Sequence, residues 1–100
     1  MEKHLFDYPA GAPAAGRALA GVVGSGDLEV LLEPRPAGSL QVSVTTSVNG
    51  MGPVWQAQLD RLFGARLWPA AAIEINDFGA TPAVVRLRLE QAFESLDERE

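Results

Sequence analysis

Ser25 stands between two glycines, in Gly24-Ser25-Gly26-Asp27, and no other constellation in the sequence points as directly to chemistry. Neither flanking residue has a β-carbon, so the hydroxyl is expected to protrude where another enzyme could reach it. Asp27 and Glu29 add local acidity. The same four residue types are all turn formers, and the tetrapeptide reads equally well as an ordinary tight turn. A nucleophilic serine needs an adjacent base, usually His or Lys, and none lies nearby. The strand-turn-helix setting of a nucleophile elbow is missing too. A phosphate-cradling loop would require a third glycine, a lysine and a following helix.

Other candidates are weaker. Asp77-Phe78-Gly79 spells the magnesium-binding tripeptide of protein kinases, but the glycine-rich and catalytic loops that give it meaning are absent. It reads instead as a loop in which Gly79 permits an unusual turn and Asp77 or Thr81 caps a helix. Trp55 and Trp68 suit core or interface anchors better than ligand platforms. Arg86 and Arg88, two residues apart on a helix, point to different sides and make a poor anion clamp. Glu29 and Glu33 fall on a strand's outer face, where solvation explains them better than acid–base work.

Composition excludes more than it suggests. One hundred residues with a net charge of −5 are expected to form one small soluble domain, too small for a multidomain enzyme. The absence of cysteine removes disulfides, thiolate catalysis and cysteine metal sites. One histidine, His4, near the chain terminus, leaves little for a His-based metal site or a Ser-His-Asp triad, and no metal is expected. A single lysine, Lys3, and the acidic balance argue against nucleic acid. No run approaches the roughly 20 apolar residues of a membrane helix. The charged start, Met1 to Tyr8, does not read as a secretory signal. A cytoplasmic location is expected, with no membrane partner.

The elements that would position Ser25 follow from periodicity. Lys3 to Tyr8 suits a short edge strand, and Pro9 to Gly16 a flexible, turn-rich connection. Residues 17–23 alternate weakly as a strand. Leu28, Val30 and Leu32 then share one strand face, with Glu29 and Glu33 opposite. Between these strands the Gly-Ser-Gly-Asp run supplies a hairpin turn. Pro34 to Gly38 reads as the next turn. Leu40, Val42, Val44, Thr46 and Val48 alternate with polar residues, which implies an antiparallel sheet covered on one face.

A helix should start at Pro53 and bury Trp55, Leu59 and Phe63, with Gly64 placed for its C-terminal cap. A strand over 70–76 follows, with Ile73 and Ile75 facing the core. Thr81-Pro82 then opens a last helix that carries Val85, Leu89, Ala92 and Leu96 as its stripe. Arg86 and Glu90 should pair on its exposed side. The predicted fold is α+β, a two-layer sandwich in which a mostly antiparallel sheet of four to five strands carries two helices on one face. Residues 1–100 make one domain, with 1–16 a partly flexible arm or edge strand and 97–100 a solvated tail.

Three strings, Gly24-Ser-Gly-Asp-Leu-Glu-Val-Leu-Leu-Glu-Pro34, Ser47-Val-Asn-Gly50 and Asp77-Phe-Gly-Ala-Thr-Pro-Ala-Val-Val-Arg-Leu-Arg-Leu-Glu-Gln91, are specific when taken together. They resemble the acyl carrier, or delta subunit, family of bacterial malonate decarboxylase, in the same order and with similar spacing from about residue 5 to residue 94. Ala83 stands where that family more often has glycine, a change that favours a helix start.

The resemblance implies that Ser25 is the attachment point of a CoA-derived arm, 2′-(5″-phosphoribosyl)-3′-dephospho-CoA, joined through a phosphodiester. A holo-carrier synthase would load it from a triphosphate precursor. The arm's thiol would hold acetyl and malonyl groups while an acyl transferase subunit and two decarboxylase subunits convert malonate to acetate and carbon dioxide. The chain itself would be non-catalytic, with Gly24, Gly26 and Asp27 shaping the hairpin that the other proteins recognise. The carrier subunit of citrate lyase looks similar in the same place, and an unmodified adaptor subunit is a third reading. A fatty-acid-type carrier, a helical bundle with its serine at a helix N-terminus, does not match strands on both sides of Ser25.

Overall fold

The computed structural model describes residues 1–20 and 28–97. Five strands and two helices follow in the order β1 (Glu2–Pro9), β2 (Ala18–Ala20), β3 (Leu28–Pro34), β4 (Ser39–Thr46), α1 (Gly52–Phe63), β5 (Ala71–Asp77) and α2 (Pro82–Asp97). The strands form one sheet in the order β1-β4-β5-β3-β2. Three of its four pairings are antiparallel, as the alternating sequence implies; β4 and β5 pair in parallel. The exception has a simple cause: α1 carries the chain back along the sheet, so β5 re-enters in the direction of β4. It inserts between β4 and β3, and the two strands that follow each other in sequence are not neighbours.

Each long strand shows the period-2 pattern. Leu28, Val30 and Leu32, then Leu40, Val42 and Val44, then Ile73 and Ile75 are buried on one face. Burying each such side chain contributes ~1.5–3 kcal/mol. Both helices cover that face. α1 presents Trp55, Leu59 and Phe63 at successive i, i+4 positions. α2 adds Val85, Leu89, Ala92 and Leu96, together with Phe93, which widens the expected stripe. The opposite sheet face stays partly open, with Gln41, Ser43 and Glu74 upon it.

The strand predicted to reach Val48 stops at Thr46, and Val48 is exposed. The hydroxyl of Thr46 accepts the N–H of Val48 at 3.0 Å and turns the chain out of the sheet. At the end of α1, Gly64 is the C-cap residue with φ −85°, so its role is not a left-handed turn. A Cβ there would collide with the carbonyl oxygen of Asp60, which accepts the Gly64 N–H at 2.9 Å.

The Pro9–Gly16 connection is held by main-chain hydrogen bonds to distant segments. Ala10 and Gly38 approach each other's neighbourhood through Ala10 N–H to Gly38 O and Gly38 N–H to Gly11 O, both 3.1 Å. Gly11 N–H donates to Trp68 O at 2.9 Å. The buried Ala70 takes most of the rest: its carbonyl accepts from Ala14 and Arg35, and its N–H donates to Ala12.

β1 is one of the two edge strands and is tied at both ends. At its start the Glu2 carboxylate accepts the Gly50 N–H at 3.0 and 3.1 Å and contacts His4 Nε2 at 3.2 Å. Near its finish Tyr8 Oη donates to Asp60 of α1 at 2.8 Å, and its ring packs 5.4 Å from that of Phe63. Burial first, then this hydrogen bond and the charge of Asp60, push the Tyr8 phenol well above its ordinary range. A folded value raised above the unfolded one contributes stability below about pH 10, which is lost as pH rises from there through the folded value. Tyr8 is the only tyrosine, so phenolate absorbance reports it directly. Its titration is expected to begin well above pH 10 in the folded protein and to move down in Asp60→Asn; an ordinary midpoint near 10 would remove this account of the β1–α1 link.

Candidate functional site

Gly24, Ser25, Gly26 and Asp27 lie outside the described residues. What the structure defines is the frame on which they are mounted. β2 and β3 are antiparallel neighbours, with Ala20 opposite Val30, so residues 21–27 join two adjacent strands as a hairpin connection requires. β2 is the outermost strand on its side of the sheet. On its other side Leu28, the first residue of β3, pairs with Asp77, the last of β5, and Asp77 pairs with Thr46, the last of β4. The connection therefore leaves the sheet at the end where β4 and β5 finish and where both helices begin.

Asp77 organises this end. It is buried, and Thr46 Oγ1 donates to its Oδ2 at 2.8 Å. Its other oxygen accepts the N–H groups of Gly79 at 3.2 Å and Ala80 at 2.9 Å. The intervening turn needs the left-handed φ of +110° at Gly79, which glycine adopts without strain. Ser47 N–H donates to Asp77 O at 3.1 Å, so the turn after β4 is tied to the turn after β5. Thr81 then caps α2, its Oγ1 accepting the Val84 N–H at 3.3 Å. The kinase-like tripeptide is thus a capped turn, with Asp77 serving the turn and Thr81 the helix.

The remaining candidates separate. Trp55 and Trp68 are buried; Trp68 Nε1 donates to Leu62 O at 3.0 Å, and the Arg66 guanidinium lies 3.7 Å from the Trp68 ring centroid. Arg86 pairs with Glu90 at 2.9 Å, while Arg88 turns to Gln91 at 3.1 Å. Glu29 accepts from Asn76 Nδ2 at 3.0 Å, and Glu33 lies 3.8 Å from Arg17 Nε. A groove of about 660 Å³ runs between α1 and α2, lined by core side chains including Leu59, Leu62, Leu89 and Phe93. Composition alone did not reveal it, because it arises from how far apart the helices are set. Among the described residues, no three His, Cys, Asp or Glu side chains gather as a metal ion would require. No helix among them is long and apolar enough to cross a membrane.

Comparison with known proteins now bears on this frame. The family model described as malonate decarboxylase delta subunit (MdcD) matches residues 15–96. The chain belongs to the malonate decarboxylase delta subunit family. It is 68% identical over 94 residues to the malonate decarboxylase acyl carrier protein of Pseudomonas paraeruginosa (strain DSM 24068 / PA7), covering 94% of this chain and 95% of that relative. The protein of the same name from Pseudomonas putida (strain W619) is 59% identical over 96 residues, covering 96% and 97%. A chain in the crystal structure of a Pseudomonas malonate decarboxylase hetero-tetramer in complex with malonate superposes with a TM-score of 0.90 at 59% identity, covering 96% of this chain and 99% of that one. The fold described above is therefore shared with that chain.

The Asp77 turn yields a test. Thr46→Val removes the hydroxyl that serves both the buried Asp77 carboxylate and Val48 N–H while keeping its shape. The change is expected to destabilise the fold by ~1–3 kcal/mol in urea unfolding, with Thr46→Ser losing less. An unchanged midpoint in Thr46→Val would show that the bond contributes nothing.

Proposed function

We propose that this chain is the acyl carrier subunit of a malonate decarboxylase, a non-catalytic member of a multi-subunit complex. The observation that carries this is the 68% identity to a malonate decarboxylase acyl carrier protein across 95% of that protein's length. The likeness to a chain of a hetero-tetramer supports a subunit that works with others. Its partners would be an acyl transferase subunit, two decarboxylase subunits and the holo-carrier synthase, all in the cytoplasm.

The prosthetic group is 2′-(5″-phosphoribosyl)-3′-dephospho-CoA, covalent on Ser25. When bound, it supplies the thiol that holds acetyl and malonyl groups as thioesters while malonate becomes acetate and carbon dioxide. The chain's own residues fit that load. With no cysteine, the protein offers no competing thiol. Ser25 sits in a connection beside the edge strand β2, where the sheet is not extended by another strand among the described residues. Gly24 and Gly26 keep its flanks free of side chains, and Asp27 sets the local charge. In loading, Ser25 Oγ bonds to the innermost phosphorus of the triphosphate precursor, pyrophosphate leaves, and the serine proton passes to solvent or to a base of the synthase. Those roles leave the chain as anchor and address, with every bond to carbon made or broken elsewhere.

Intact mass decides the assignment. Apo protein treated with the synthase and the triphosphate precursor should gain the mass of one arm, and Ser25→Ala should gain none. An adduct on folded Ser25→Ala would move the site to another residue. A wild-type protein of unchanged mass would leave an unmodified adaptor as the better description.

A further inference from the structure

The outer edge of β1 turns N–H and C=O groups away from β4, and among the described residues no strand lies beyond it. Every residue from Glu2 to Pro9 pairs with β4 in one uninterrupted register, so the edge runs the full length of the strand. Both ends are already fixed, by Glu2 at the Gly50 N–H and by Tyr8 at Asp60. An edge held this way is a template for another strand, and little order remains to be imposed on it when one arrives.

Its side chains divide between the two faces. Phe6 belongs to the core, the Tyr8 ring packs on Phe63, and His4 lies against Gly52, so the even-numbered residues face the helices. Lys3, Leu5 and Asp7 share the open face, and all three are exposed, Leu5 at 62%. Charges on an edge strand usually keep other strands away, which is explanation enough for either charge alone. The set of three is more particular, because opposite charges stand two residues to either side of an apolar centre. Lys3 and Asp7 are about 14 Å apart along the strand, too far to pair with each other. Neither has an ion-pair partner among the described residues.

An antiparallel copy of the strand reverses the order of its charges. With Leu5 set opposite Leu5, Lys3 falls opposite the second copy's Asp7, and Asp7 opposite its Lys3, with Cβ atoms about 4.5–5.5 Å apart. Outward N–H and C=O groups recur every second residue, so only registers that differ by two residues can form the ladder. A shift of two in either direction sets Leu5 against a charge and leaves no Lys–Asp pair. One register alone matches all three side chains.

We infer that the free chain forms a two-fold symmetric dimer through the outer edge of β1, in the register that sets Leu5 against Leu5. Two five-stranded sheets then join as one of ten. The occupant is a second copy of this chain because the pattern complements its own reverse, and such a contact closes on itself and consumes the edge. β2, at the other edge, lies about 19 Å away across four strand spacings and stays outside the contact. The inference stands independently of the carrier reading, which neither outcome of its test alters.

Sedimentation of the full chain at low salt, over about 1–500 µM, is expected to show the mass rising from one chain to two. A single-chain mass throughout overturns the inference. Lys3→Asp and Asp7→Lys each turn two attractive pairs into two repulsive ones, and each should weaken association about ten-fold or more. Both positions are exposed, so the unfolding midpoints should stay at the wild-type value. An equimolar mixture of the two variants restores opposite charges at both positions and should associate within about three-fold of wild type. A dimer indifferent to the reversals, or a mixture that fails to recover, overturns the proposed contact. The absence of cysteine permits a second measurement, which decides alone should a charge reversal fail to fold. Leu5→Cys would face its own copy at a separation that a disulfide spans, and mild oxidation should cross-link it about ten-fold or more faster than Leu87→Cys, at an open site on α2 that is 48% exposed. Equal rates of cross-linking overturn the inference.

Discussion

The parallel pairing of β4 with β5 is the constraint on which the rest of the molecule depends. It brings the ends of two strands level, so that Thr46 and Asp77 meet in register inside the protein. A carboxylate buried there without donors would be costly, and the hydroxyl and two turn amides that surround it make the position tenable. The same pairing sets β3 on the far side of β5, and so delivers the start of β3 to the end where both helices begin. The serine-bearing connection, the capped turn and the two helix entries share one end of the sheet because β5 runs with β4 and not against it.

Much of this was legible in the sequence, for identifiable reasons. The alternation of Leu40, Val42, Val44 and Thr46 reports a half-buried strand, and Thr81-Pro82 reports a helix start, because both are local patterns. The direction of β5 was not legible, since Ile73 and Ile75 alternate the same way whether their neighbour runs with or against them. Val48 continues the apolar alternation, yet leaves the sheet because the Thr46 side chain competes for its N–H, a contest between side chain and ladder that hydropathy does not encode. Gly64 marked the helix end correctly but for a steric reason, the nearness of the Asp60 carbonyl, rather than a left-handed turn. Pro9 to Gly16 reads as punctuation, because its hydrogen-bond partners lie at Gly38, Trp68 and Ala70, far away in sequence.

The candidate site stands differently. Residue types alone offered Ser25 beside the reading of an ordinary turn, and the serine lies outside the described residues. They also offered Asp77 or Thr81 as the cap of the last helix, and Thr81 takes that role while Asp77 serves the turn before it. They did not show that these features belong to one end of the fold, because that is a property of strand order. The absence of cysteine and the single histidine, at first only exclusions, fit a protein whose contribution is an address and an anchor. Its partners would hold the machinery.

The opposite end of the sheet is closed largely through the main chain of Ala70. One residue, Ala70, accepts at its carbonyl from Ala14 and Arg35 and donates its N–H to Ala12, so two separate stretches converge on a single buried residue. Opening either of them would strand polar groups at Ala70, and partial opening is correspondingly unfavourable. The bonds at Ala70 therefore couple the Pro9–Gly16 connection and the turn after β3 to the start of β5. Strain applied at any one of these segments is then passed directly to the others through a single residue.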